Sequence, residues 1–275
     1  MVSILFWNLK NKPLYKVLAT ACREHDVDIL ILAEADLDSD VLREELNDGS
    51  TRLYYEVGLS KVIRFFTRYL PANFAPIYDS GRVVMRLVTP PIGPQVLLVA
   101  AHLPSKLHRE EPDQQFYVQR ITKKVNELEA KLKCKATIVV GDLNLNPFDA
   151  AMTRSDMFHG VMDQAIARAG SRMVQGEESQ YFYNPMWSRL GDGSVGPPGT
   201  YYHRTGNVQN LFWHTFDQVL LRPSLLEFFS HNDLLVLTKI GSAELLRNNK
   251  PNKKFSDHLP IVVRLNLERA VANVG

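Results

Sequence analysis

The chain has 275 residues and 45% hydrophobic content, enough to bury a large core, and its formal net charge of +2 is too mild to demand a nucleic-acid partner yet does not exclude one. Its two cysteines, Cys22 and Cys134, lie in no CxxC or zinc-like spacing, which excludes a disulfide framework and marks both as reduced interior or helix residues. No apolar run reaches the roughly 18 residues of a membrane span, and residues 1–9 lack the basic start and the length of a secretion signal, so the expected location is cytoplasmic, with no membrane span and no obligate protein partner inferred.

In chain order, residues 2–7 read as a strand that runs into Asn8, and residues 12–24 as a helix with Leu14, Val17, Leu18 and Ala21 on one face. Residues 28–33 read as a second strand that delivers Glu34. A strand–helix–strand unit sets its two strands side by side and parallel, so Asn8 and Glu34 are expected at neighbouring strand ends. Strand patterns follow at 53–57, 62–67, 82–88 and 96–101, separated by turns marked with proline or glycine. Around the second of these, Lys61, Arg64 and Arg68 interleave with Phe65, Phe66 and Tyr69. That pattern suits a surface that stacks bases and follows a phosphate backbone, and it equally suits plain alternation in a half-buried strand. His102 closes the strand 96–101 and opens His102-Leu103-Pro104-Ser105-Lys106, where Ser105 and Lys106 are suited to bind phosphate.

Residues 114–132 carry the clearest helical period, through Val118, Ile121, Val125, Leu128 and Leu132. They lead to the β-branched run 136–140 and then to Gly141-Asp142-Leu143-Asn144-Leu145-Asn146-Pro147. A strand ending in Gly-Asp-x-Asn sets a carboxylate beside a carboxamide at a sheet edge, although the same residues also serve ordinary turns. Residues 171–210 differ in composition, with Gly191-Asp192-Gly193-Ser194-Val195-Gly196-Pro197-Pro198-Gly199 and the aromatics Tyr181, Phe182, Tyr183, Trp187, Tyr201 and Tyr202. A long connection of this kind is a mobile lid, a substrate-reading loop, or an insertion that packs its aromatics on the body; Asn184 and Trp187 are its candidate substrate contacts. Near the end, Phe216-Asp217-Gln218-Val219-Leu220-Leu221 carries an acid inside a strand pattern, and Ser256-Asp257-His258 abuts the apolar run 259–265. A buried unpaired carboxylate costs several kcal/mol, so each of these acids needs a partner, a metal ion or solvent in a cleft. The histidines His108, His159, His203, His214 and His231 show no zinc-ligand spacing.

Taken together, Asn8, Glu34, the Gly141-to-Asn144 segment, the Asp217 strand and the Ser256-Asp257-His258 segment occur in the order and approximate spacing of the endonuclease/exonuclease/phosphatase superfamily, which the chain resembles from residue 2 to about residue 265. Sequence patterns alone give an α/β or α+β chain. The resemblance implies a DNase I-like fold, a four-layered sandwich of two packed mixed β-sheets flanked by helices, formed by one domain over residues 1–275 with the substrate-side insertion at 171–210. It implies metal-dependent hydrolysis of phosphate esters. Hard oxygen ligands suit Mg²⁺ or Mn²⁺, with Glu34 as the strongest candidate ligand beside Asn8, and Asp257 completing the set.

His258 is expected at the phosphate, oriented by Asp217, with either Asp142 or His258 as the general base and Asn144 orienting Asp142 or holding the phosphate. In the DNase I-like branch a histidine in the place of His102 assists the leaving group, whereas the exonuclease III-like branch has a tyrosine nearby; Asp79 and Glu56 are the candidate acids to orient His102. Asn8, Asn144, Lys106, Asn184 and Trp187 form the expected substrate-binding set. The activity expected is a nuclease cutting DNA or RNA phosphodiesters. A phosphatase or phosphodiesterase acting on a small-molecule or lipid phosphate is the alternative, and a non-enzymatic binding module on the same fold is a third reading.

Overall fold

The computed structural model describes residues 1–49, 52–56, 58, 60–105, 111–206, 208 and 210–267. β1 (Val2–Asn8), α1 (Tyr15–Glu24) and β2 (Ile29–Ala33) form the expected unit, with the two strands parallel. The helix begins later than its apolar period suggests. Lys10 and Asn11 take left-handed backbone, with φ of 49° and 56°, and Lys12 precedes Pro13, which disfavours helical geometry there. α2 (Ser39–Leu46) is capped by Asp38, whose side chain accepts from the backbone of Asp40 and Val41. Sequence periodicity misses this helix because only Leu42 and Leu46 are buried.

β3 (Tyr54–Glu56), at the edge of the first sheet, pairs antiparallel with β4 (Ile63–Thr67), which extends the sheet antiparallel to β2. Within β4, Phe65 and Phe66 are buried while Arg64 bonds to Leu37 and Ser39, and just beyond it Arg68 pairs with Asp26 and Asp28. The interleaved basic and aromatic residues are therefore a strand with two packed faces and not a base-stacking surface. β5 (Phe74–Asp79), β6 (Val83–Val88) and β7 (Val96–His102) run antiparallel in the second sheet. β5 escapes the sequence pattern because it is an edge strand holding Pro76 and a bulge. α3 (Glu111–Leu132) returns the chain to β8 (Thr137–Asp142), parallel to β7.

After α4 (Ala150–Thr153), β9 (Gly160–Val161) and α5 (Gln164–Arg168), the span 171–210 is not one open connection. It contains the hairpin β10 (Ser171–Val174) with β11 (Glu177–Gln180), then β12 (Phe182–Tyr183), which joins the second sheet between β9 and its later neighbour, and then β13 (Tyr201–Tyr202). A buried guanidinium secures this region. Arg222 bonds to Glu129, Asn126 and the Tyr181 carbonyl, with its charge 3.9 Å from the centre of the Phe182 ring. β14 (Trp213–His214) pairs with β13, and β15 (Asp217–Leu221) lies antiparallel to β8. The chain closes with β16 (Leu234–Val236), the hairpins β17 (Lys239–Ile240) with β18 (Ala243–Glu244) and β19 (Leu246–Arg247) with β20 (Lys250–Pro251), and β21 (Ile261–Leu265), which pairs with β1.

Two mixed sheets result, ordered β16-β21-β1-β2-β4-β3 and β5-β6-β7-β8-β15-β12-β9. The period of two along β1 separates the layers: Ile4 and Phe6 lie on the same face as Asn8 and join a core with Leu98, Ile138, Val140 and Val219, the residues on the Asp142 face of the second sheet, while Leu5 and Trp7 face Leu18, Cys22 and Leu42 of α1 and α2. α3 covers the second sheet through Val118, Ile121, Val125 and Leu128. Because both faces of the central strands are covered, they read as continuous apolar runs interrupted only at their ends. Cys22 and Cys134 are buried and free. Among the described residues no helix is long and apolar enough to cross a membrane.

Candidate active site

The polar strand ends of the two sheets meet. In the first sheet Asn8 is paired with Ala33, one residue before Glu34. In the second, Asp142 stands opposite His102 on one side and Asp217 on the other, so three chemically active side chains form one row across β7, β8 and β15. Asn8 links the rows, for its buried Nδ2 donates to Glu34 Oε1 at 3.2 Å and to Asp142 Oδ2 at 3.0 Å. Ser256 ties in the last segment: its hydroxyl donates to the Asn8 carbonyl at 2.7 Å and accepts from the His258 backbone at 3.0 Å. Trp7 Nε1 donates to the His258 carbonyl at 3.0 Å, fixing the loop from its other side.

The local sequence explains the row. Gly141, at φ 155°, lets β8 press against β7, since a Cβ there would sit 1.9 Å from the Ala101 carbonyl oxygen. Gly141→Ala is therefore expected to cost more than about 2 kcal/mol of stability, and an unchanged urea midpoint would contradict that close approach. Glu34 and Asn144 hold left-handed backbone, φ 44° and 50°, a conformation that non-glycine residues keep only where surrounding contacts enforce it. The Asn144 backbone donates to Asp142 Oδ1 at 3.0 Å, and its side chain donates to the Leu103 carbonyl at 2.9 Å. Asp142 thus has both oxygens engaged, and its Oδ2 also faces His102 Nε2 at 3.7 Å and His258 Nε2 at 3.8 Å.

Electrostatics divide the labour. His258 Nδ1 lies 2.9 Å from Asp217 Oδ2 and 3.2 Å from Oδ1. Burial opposes a charge on this imidazole, yet Asp217, Asp142 and Asp257 together raise its pKa to about 9. Burial also pushes the Asp142 carboxyl up, helped by Asp217 and opposed by His258 and His102. His102 moves down, because burial outweighs the attraction of Asp142 and Glu34. For Glu34, burial is outweighed by the Asn8 hydrogen bond, the Lys10 ammonium 3.7 Å away and the two histidines, which hold it below the usual carboxylate range.

Two participants were not singled out by sequence reasoning. The Tyr201 ring lies 4.5 Å from that of His258, and the two residues share an isolated backbone bridge. Burial and then Asp257, Asp142, Glu34 and Asp217 raise its hydroxyl to about 12, which places it over a concentrated negative field. The sequence signal for Tyr201 is only membership of an aromatic-rich stretch. The other is Lys10, which follows Asn8 by two residues and reaches Glu34.

Other expected residues lie elsewhere. Asn184 is fully buried with its carboxamide spent on Gln218 and on capping Met186, so it is not brought into the cleft. Trp187 is half-buried with its ring 6.5 Å from that of Phe148, just beyond the Gly141-to-Pro147 loop. Lys106 and His108 lie outside the described residues. Neither Asp79 nor Glu56 orients His102: Asp79 accepts from the backbones of Ser60 and Gly81, and Glu56 pairs with buried Arg86 at 2.9 Å. Among the described residues His102 Nδ1 is buried without a hydrogen-bond partner, while its Nε2 faces Glu34 Oε1 at 3.4 Å.

The donor set suits a hard divalent cation. Asp257 Oδ1 is buried and has no hydrogen-bond partner among the described residues, and the Glu34 side chain is 26% exposed, leaving its carboxylate open to a ligand. Ligand atoms of Asp142, Asp217 and His258 also lie within 4.8 Å of one another. Distance alone would make that trio a metal cluster, but the His258–Asp217 hydrogen bond already engages two of its members, and all three are buried, whereas Mg²⁺ usually keeps several waters. Lys10, whose side chain is exposed, is the ammonium that pairs with Glu34 among the described residues, and it would give way to a metal held by Glu34.

Comparison with known proteins agrees with this geometry. The model of the Endonuclease/Exonuclease/phosphatase family matches residues 5–258, and the chain belongs to that family. No curated protein sequence matches it. Among solved structures it is similar to an endonuclease/exonuclease/phosphatase family protein from Leptotrichia buccalis C-1013-b, with TM-score 0.57, 16% identity, and 96% of this chain and 99% of that one covered. An AP endonuclease from Archaeoglobus fulgidus gives TM-score 0.56 and 15% identity over 97% and 100% of the two chains. The mannosyl-6-phosphatase Bt3783 from Bacteroides thetaiotaomicron VPI-5482 gives 0.57 and 16% over 96% and 99%. At these identities the likeness shows the DNase I-like fold, which a nuclease and a phosphatase share.

Proposed function

We propose that the chain is a divalent-metal-dependent phosphodiesterase, a nuclease that hydrolyses DNA or RNA phosphodiester bonds. The observation that carries this reading is Asp142 Oδ2 held between two imidazole Nε2 atoms, one of them charged by its pairing with Asp217. A carboxylate with a raised pKa is suited to take a proton from water, while an imidazolium is suited to hold a nonbridging phosphate oxygen. Since His258 already carries its proton at neutral pH, Asp142 is the general base. In the reaction, water oxygen bonds to phosphorus as its proton passes to Asp142, the ester P–O bond breaks with its electron pair leaving on the alcohol oxygen, and that oxygen takes a proton from solvent while Asp142 returns its own, leaving alcohol and phosphate monoester. His102, kept neutral by burial, is the group to hydrogen-bond that departing oxygen.

Mg²⁺ or Mn²⁺, held by Glu34 and Asp257 with Asn8 alongside, supplies Lewis-acid stabilisation of the phosphate charge when bound. Asn144 holds Asp142 in position through its backbone and ties down Leu103, just beyond His102, through its side chain. The constellation is intact, which speaks against a binding module that has lost its chemistry. Hydrolysis of a small or lipid phosphate would use the same residues, so substrate must be settled by assay. Purified protein with Mg²⁺ or Mn²⁺ is expected to cleave single- or double-stranded DNA or RNA, and not inositol phosphates or cyclic dinucleotides. Turnover confined to those small phosphates would replace the nuclease reading with the phosphatase one.

A further inference from the structure

A cavity of about 630 Å³ has Asp257 in its wall and extends the candidate active site toward β13 and the β19–β20 hairpin. Its volume falls in the range of sites that enclose a whole ligand. Arg247, Lys250, Lys253 and Lys254 supply one side, and the stretch 245–256 contains no acidic residue. Arg204 and His203 come from beyond β13. Among the described residues none of these five lysines and arginines is in an ion pair. The neighbouring cation Lys239, by contrast, is matched by Glu244 at 2.7 Å.

The hairpin is built in a way that points to an anion. Arg247 and Lys250 stand directly opposite each other across β19 and β20, a like-charge pair that destabilises a hairpin. The two-residue turn between them is Asn248-Asn249, both left-handed at φ 52° and 54°, a tight turn that fixes the register and keeps the two charges together. Lys250 Nζ lies 4.7 Å over the Tyr202 ring, and Phe212, 43% exposed, stacks against Tyr202 at 6.3 Å. Phe212 itself holds φ 61°, an outlier for an aromatic residue. Clustered cations beside the exposed ring of Phe212, which half-buried Tyr202 supports from behind, suit a strand that carries both repeated phosphates and bases, rather than a compact polyphosphate headgroup.

We propose that this groove binds the phosphodiester backbone of a nucleic-acid strand next to the scissile phosphate, with a base stacked at Phe212. The proposal rests on the nuclease reading, and it makes this chain's preferred substrate an oligonucleotide rather than a single phosphodiester.

The test uses the full chain carrying Asp142→Asn, so that binding is read without turnover, and a fluorescent single-stranded dodecanucleotide followed by anisotropy at two salt concentrations. Lys250→Ala/Lys253→Ala/Lys254→Ala in that background is expected to weaken binding at least tenfold and to reduce the slope of log affinity against log salt by about two to three. Phe212→Ala is expected to weaken binding while leaving the salt slope unchanged. Lys123→Ala/Lys131→Ala/Lys135→Ala, which removes the same charge from and just beyond exposed α3, should keep the parent affinity within twofold. Equal losses in the two triple variants would overturn the groove assignment and leave only net-charge attraction. Binding to vesicles of phosphatidylcholine with a phosphoinositide, without binding to the oligonucleotide, would overturn it in favour of a lipid headgroup. Absence of cleavage by the wild-type chain on every substrate would count against the nuclease reading alone, because this readout needs no chemistry.

Discussion

Asp142→Asn is expected to lower kcat for phosphodiester hydrolysis about 10²- to 10⁴-fold, the usual worth of a positioned general base, while the melting temperature holds or rises. The carboxylate sits in an environment that resists its charge, through burial and the neighbouring Asp217, and neutralising it removes that opposition. Against this, the carboxamide can present only one oxygen to the two donors that now flank Asp142, Asn8 Nδ2 and the Asn144 backbone. One donor loses its acceptor, at about 1–3 kcal/mol, so the two effects nearly cancel. Activity within threefold of wild type would remove Asp142 from the mechanism. A large fall in both kcat and melting temperature would assign it a structural role.

The second large effect is expected at Asp217. Asp217→Asn removes the charge that keeps His258 protonated, so the phosphate loses a cationic partner at neutral pH, a loss of about 10²- to 10³-fold in kcat/KM. The loss should shrink as pH falls and His258 regains its proton, burial opposing that charge and Asp142 and Asp257 still favouring it. Stability follows the same linkage. With the His258 pKa raised to about 9, the ion pair's contribution is fully present below the ordinary imidazole value and is lost as pH rises through about 9. Metal-free wild type should therefore be more stable than the variant at pH 6, and the gap should close by pH 10. A gap that is constant with pH, or a kcat/KM ratio that does not move between pH 5.5 and 8.5, would show that Asp217 is only packing.

What could be read from the sequence follows from how each residue advertises itself. Asn8, Glu34, His102, Asp142, Asp217 and His258 interrupt or end strands that are otherwise apolar on both faces, and such an interruption is visible without coordinates. The same two-sided burial made β1, β2, β7 and β8 legible. β5 and α2 were not, because an edge strand with Pro76 and a short helix with two buried leucines carry little periodic signal. The aromatic-rich span 171–210 misled in a particular way. Its candidate contacts are Asn184 and Trp187, yet Asn184 spends its carboxamide inside the body, and the residue that reaches His258 is Tyr201. No local pattern could supply that, since the Tyr201–His258 bridge joins segments 57 positions apart in the chain. His102 likewise showed its place but not its partners, because Glu34 and Asp142 reach it from two different sheets.

The most direct test of the central claim, metal-dependent hydrolysis at the meeting point of the two sheets, is cleavage of a labelled single-stranded oligonucleotide in Mg²⁺, repeated after EDTA and again after Mg²⁺ is restored in excess. Cleavage by the wild-type chain is expected to stop with EDTA and return with Mg²⁺, and Glu34→Gln to stay inactive at the Mg²⁺ concentration that restores wild type. Cleavage that persists through EDTA, or a Glu34→Gln variant that cuts as fast as wild type, would contradict that claim.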